Sequence, residues 1–133
     1  MKTEDEYAKE IFNLELTREK RIQAAFHLEK AKKEESLRAL GKALMSDPSP
    51  IVRHEFAFSL GETGRPDVVA EYLMTAVEKD PNVFVRHEAI LALATLGKKE
   101  FVPFVKKFID DKEPPEMLES AEIALERLEM TGN

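Results

Sequence analysis

Two of the chain's three histidines stand in one four-residue setting, Val52-Arg53-His54-Glu55 and Val85-Arg86-His87-Glu88, with 33 residues between equivalent positions. An imidazole beside a carboxylate, given twice in register, is a donor set for a divalent metal. With no cysteine in the chain, thiolate is excluded and only nitrogen and oxygen remain as ligands. Two imidazoles and one of the adjacent carboxylates, with open positions left over, form the facial arrangement of non-haem Fe(II) oxygenases. Iron suits these donors; zinc and manganese use them too. The plain alternative is a pair of surface or seam histidines copied by duplication. Two His-Glu pairs in register favour the metal.

Residues 33 apart meet at one site only if the repeat is structural, and the wider window says that it is. Asp47-Pro48 returns as Asp80-Pro81, Leu60 as Leu93, and Gly64 as Gly97. Weaker copies flank these two. Arg21 to Leu28 aligns with Arg53 to Leu60, and Glu119-Ser120 falls near the His-Glu position with Ala124, Leu125 and Leu128 on apolar positions. A period in this range marks stacked supersecondary units. Four units result, the outer two lacking His-Glu as capping repeats do.

Every apolar stretch has helical period, and the breakers fall between helices. Ser49 and Asn82 are placed to cap, with Pro50 at a first helical position. Gly64 and Gly97 stand where helices stop, and Glu113-Pro114-Pro115 separates the last two. Eight helices are predicted, near 3–14, 17–30, 34–46, 50–63, 66–78, 83–96, 98–110 and 115–130. The fold class is all-α: an α-solenoid of about four HEAT-like antiparallel helix pairs forming a single domain over 1–133. Phe56, Leu60, Val69, Leu73, Val77, Ile90, Leu93, Val102, Val105 and Phe108 are expected in its seams. Pro103 costs little within a first turn.

In such an array His54 and His87 lie at one depth on parallel helices about 8–10 Å apart. Imidazoles leaning inward can then share a metal at about 2.0–2.1 Å. Glu55 and Glu88 are turned about 100° from the histidines and can join the cluster. Arg53 and Arg86 are expected in inter-repeat ion pairs with acidic loop residues such as Asp47 or Asp80. His27, outside the motif, reads as an ordinary surface or seam residue. Phe56-Ala57-Phe58 and the run from Phe101 to Phe108 read as core. Lys32-Lys33, Lys98-Lys99 and Lys106-Lys107 complement helix dipoles.

Composition narrows the function. The 133 residues carry a formal net charge of −6. That argues against a partner bound through its phosphate backbone and suits a cationic one. No apolar run reaches the length of a membrane span. The acidic start, Lys2 to Glu6, has no apolar signal segment. With no cysteine, a reducing cytoplasmic setting is expected, without nucleic acid or membrane as partner.

Val85-Arg86-His87-Glu88-Ala89, followed by Ala92-Leu93 and Gly97, resembles the His-Glu motifs of deoxyhypusine hydroxylase, a HEAT-repeat diiron monooxygenase. The resemblance runs from Arg21 onward through the closing segment Glu119 to Glu129. That family has two similar halves, each with four helix pairs and two His-Glu motifs, and this chain looks like one half. The resemblance implies His54, His87 and Glu88 as iron ligands. It implies Glu55 as the catalytic carboxylate that holds an amine-bearing side chain. It further implies a modified lysine on a protein as substrate, and a homodimer to complete the diiron pair. Two other readings compete: a scaffold whose concave face takes a partner helix, and a nucleic-acid-binding repeat protein, which the charge disfavours.

Overall fold

The computed structural model describes residues 2–132, and among these there are helices and turns but no strand. The helices are α1 Glu4–Glu10, α2 Arg18–Ala31, α3 Glu34–Ser46, α4 Pro50–Gly61, α5 Pro66–Lys79, α6 Val83–Leu96, α7 Val102–Lys106 and α8 Pro115–Thr131. They form four antiparallel pairs. The second helices pack in order, α2 on α4, α4 on α6 and α6 on α8, while α1, α3 and α5 line up behind them. This is the α-solenoid expected from the repeat.

The local signals act as the residue types require. Ser49 Oγ accepts from the Val52 amide at 3.4 Å, and Asn82 Oδ1 accepts from the Phe84 and Val85 amides at 2.9 and 3.2 Å. Each satisfies amides that a helix start leaves without an internal partner. Gly97 ends α6 at φ 75°, a left-handed conformation cheap only for glycine.

Two predicted helices are shorter than expected. The first stops at Glu10 rather than near residue 14, and the Asn13 side chain instead takes the Glu15 amide at 3.0 Å in a turn. Asparagine offers the backbone that alternative to helix. The seventh is a 3-10 turn at Lys99–Phe101 followed by the five residues of α7. The helix stops at Lys106, and beyond it Asp110 takes the Lys112 amide at 2.9 Å in a turn like that of Asn13. Pro103 lies in the first turn of α7, where its missing N–H is tolerated.

The seams hold the residues named for them. Phe56, Leu60, Val69, Leu73, Val77, Ile90, Leu93 and Val105 have no exposed surface, Phe108 is buried, and Val102 is partly so. Phe58 is a correction: it is 43% exposed. Two residues beyond Phe56, it is turned about 200° around the helix, away from the seam. Gly61 lets α4 and α6 close up, since a Cβ there would lie 2.7 Å from Ala92 Cβ.

A ladder of arginines ties successive units together. Arg21 meets Asp47 through Nε at 2.9 Å, Arg53 meets Asp80 at 2.8 Å, and Arg86 meets Glu113 through Nη2 at 3.0 Å. The first two pairs are fork-to-fork, with second contacts at 3.3 and 3.2 Å. Arg53 also donates to the Asp47 carbonyl at 2.9 Å, so one side chain bridges two inter-helix loops. The arginines of the repeat are therefore structural, as their position beside acidic loops suggested.

Candidate metal centre

The residues of the His-Glu motifs lie one turn into α4 and α6. Each helix start is held by its cap, so His54, Glu55, His87 and Glu88 are set at equal depth. The close α4–α6 packing then brings the first motif onto the second. His54 Nε2 lies 3.2 Å from Glu88 Oε2, and His54 Nδ1 lies 3.7 Å from Glu55 Oε1. The Glu88 side chain is 16% exposed, against 36% for His54 and for Glu55. This leaves a half-open acidic site with an imidazole between two carboxylates.

His87 belongs to the same helix layer but is engaged on its other side. Its Nδ1 pairs with the hydroxyl of Ser120 on α8. Ser120 is buried, and its hydroxyl reaches the Glu116 carbonyl at 2.6 Å. Of the four motif residues, the structure therefore joins His54, Glu55 and Glu88, while His87 pairs with Ser120 and has no recorded contact with the other three among the described residues. Among the described residues, no three His, Cys, Asp or Glu side chains already surround a metal position. The donor set nevertheless fits a divalent ion in kind and in register: imidazole and carboxylate only, half-exposed, on neighbouring parallel helices.

Two residues of this region were not singled out from sequence, and a third, Ser120, was placed in the repeat without a role. Ile51 and Phe84 stand three residues before His54 and His87, and each is 60% exposed. With Pro50, His54 and Asn82 they line a hollow of about 260 Å³ beside the imidazole. Their shared register was the available signal. Ser120 carried the same signal, standing 33 residues after His87. His27 lies on α2, outside the motif helices, and stacks on Tyr7, ring centroids 4.1 Å apart and 6° from parallel.

The family model described as HEAT repeats matches residues 37–126. This chain belongs to the HEAT-repeat family. No curated protein matches it in sequence. Among solved structures, human deoxyhypusine hydroxylase in complex with glycerol is similar, at a TM-score of 0.88 and 25% identity. The match covers 96% of this chain and 43% of that one. The chain thus spans less than half the length of the protein it resembles, in keeping with the half-length relationship suggested by its motifs.

Proposed function

We propose that this HEAT-repeat chain is a metal-binding half of a deoxyhypusine-hydroxylase-like monooxygenase. In this reading His54, His87 and Glu88 hold iron(II), and a second copy of the chain completes the site. Glu55 pairs with the ammonium of a lysine-like side chain presented by a protein substrate in the cytoplasm. The observation that carries it is the 3.2 Å approach of His54 Nε2 to Glu88 Oε2 across the α4–α6 seam. Two motifs 33 residues apart in sequence meet there, with Glu55 at hand. The likeness to deoxyhypusine hydroxylase supports the family of chemistry. Bound iron would supply dioxygen activation. The chain's own part is binding and orientation: carboxylates attract the cation, and the hollow between Ile51 and Phe84 suits its methylenes.

Thermal melting with iron(II), zinc or manganese tests the site. A ligand that binds only the folded state at about 100 times its Kd adds about 2.7 kcal/mol of stability. An upward shift is expected with at least one metal, lost in His87→Ala and kept in His27→Ala. No shift with any of the three would overturn the metal site.

A second reading, a non-catalytic scaffold, draws on Ile51, Phe58 and Phe84, apolar side chains exposed on α4 and α6. It requires a protein partner that binds equally well without metal.

A further inference from the structure

The third position of the His54–His87 register is not a histidine. It is Ser120, 33 residues beyond His87, on the next helix of the same layer and 1% exposed. Its hydroxyl faces two groups, the Glu116 carbonyl at 2.6 Å and His87 Nδ1. A serine hydroxyl has one proton to donate and lone pairs with which to accept. One arrangement satisfies both contacts: the hydroxyl donates to the carbonyl, which can only accept, and Nδ1–H of His87 donates to the hydroxyl. The opposite tautomer would turn the hydroxyl toward the ring and give up the bond to Glu116.

We infer that Ser120 is a positioning residue that locks neutral His87 in its Nδ1–H tautomer and leaves the Nε2 lone pair as its sole ligand atom. The inference deepens the metal reading above and rests on it for its purpose, but the lock itself belongs to the metal-free protein. Metal-bound histidines commonly donate their second N–H to such a partner, which fixes ring orientation and tautomer. His54 has no equivalent buried hydroxyl, because the residue one repeat on from it is His87 itself. Its ring lies between Glu55 and Glu88. The two histidines of the motif therefore differ in kind: His87 is held in advance, and His54 is set by the carboxylates around it.

Long-range 1H–15N correlation spectra of the metal-free protein decide the tautomer. They are recorded at about pH 8.5, two units above the usual imidazole pKa of about 6.5. His87 is expected as Nδ1–H, and Ser120→Ala is expected to populate both tautomers. Ser120→Thr, which keeps the hydroxyl, is expected to restore the single form. Zinc and manganese affinities should follow the same order, falling about 10–100-fold in Ser120→Ala and recovering in Ser120→Thr. A structural role alone would lower the melting temperature of Ser120→Ala without moving the tautomer. An Nε2–H tautomer for His87 in the wild type would overturn the inference. So would a Ser120→Ala spectrum and metal affinity unchanged from wild type. If wild type bound none of iron(II), zinc and manganese, the site reading would fall, while a tautomer that responded to Ser120 would still uphold the lock.

Discussion

Glu29 is a carboxylate drawn upward from its usual range by its surroundings. It is half-buried near the join of α2 and α4, where desolvation disfavours its charge and Glu62 adds repulsion. Ser59 lies close enough to draw it down in part, yet that buried hydroxyl makes no hydrogen bond of proper geometry among the described residues. An angle-poor contact does little to offset lost hydration. A carboxylate whose folded pKa is raised binds its proton more tightly when folded. Its contribution to stability is present at low pH and lost as pH rises through the folded pKa. Glu29→Gln should therefore melt at a higher temperature than wild type at pH 7.5. The difference should shrink toward zero as the pH falls below 4.5, the ordinary value for a glutamate. Melting curves across that range check it, and a gain that persisted at low pH would place its cause outside titration. At the motif, His54 is set among carboxylates and His87 is set by a hydroxyl.

At the scale of the helix, the function depends on seams that hold two turns in register. Leu60 and Leu93 are repeat equivalents with no exposed surface. Leu60→Ala and Leu93→Ala should each lower the unfolding free energy by about 2–5 kcal/mol, measured in urea, as for fully buried leucines. A loss below about 0.5 kcal/mol, the range of surface positions, would contradict the packing described. The arginine ladder works between elements in a different way. Arg53 and Asp80 are both nearly enclosed, so removing one strands the other's charge away from water. Such a pair holds the loops between units in place. Gly61 is the packing counterpart. Its missing side chain allows the approach to Ala92, two turns beyond His54 on α4 and one turn beyond Glu88 on α6.

For the molecule as a whole, one chain supplies two imidazoles and two carboxylates from its motifs. A dinuclear centre of the resembling family calls for about twice that. A two-fold axis that sets the exposed faces of α4 and α6 against each other would supply it, because an isologous contact presents each group once from each copy. Ile51, Phe58 and Phe84 would then form an apolar surround for the acidic groups. Carboxylates from two copies repel unless cations stand between them. Dimerisation is therefore expected to strengthen with iron(II), through the linkage of binding and association. Sedimentation with and without the metal measures this. A chain that stayed monomeric when concentrated and metal-loaded would sink the dinuclear form of the proposal and leave a mononuclear site or a scaffold. No helix among the described residues is long and apolar enough to cross a membrane, in line with a chain of net charge −6.

The sequence by itself determined the repeat, the helix class and most helix limits, because these follow from interactions within a few residues of one another. Apolar period sets the helix, Ser49 and Asn82 begin it, and Gly97 ends it. Helices α3 and α6 run as predicted to the residue, at 34–46 and 83–96. The candidate site was legible as residue types in register, His54, Glu55, His87 and Glu88, since a period maps chain distance onto neighbouring helices. Tertiary structure alone decided which of those groups touch. His54 could turn to Glu55, to Glu88 or to His87, and only the packing of α4 on α6 selects the carboxylates. The partner of His87 comes from α8, in a unit whose motif is lost, so its role is invisible until α6 and α8 are set side by side. Phe58 and the curtailed α7 belong with these. Which face is buried, and how far a weak helix runs, depends on what packs against it rather than on its own residues.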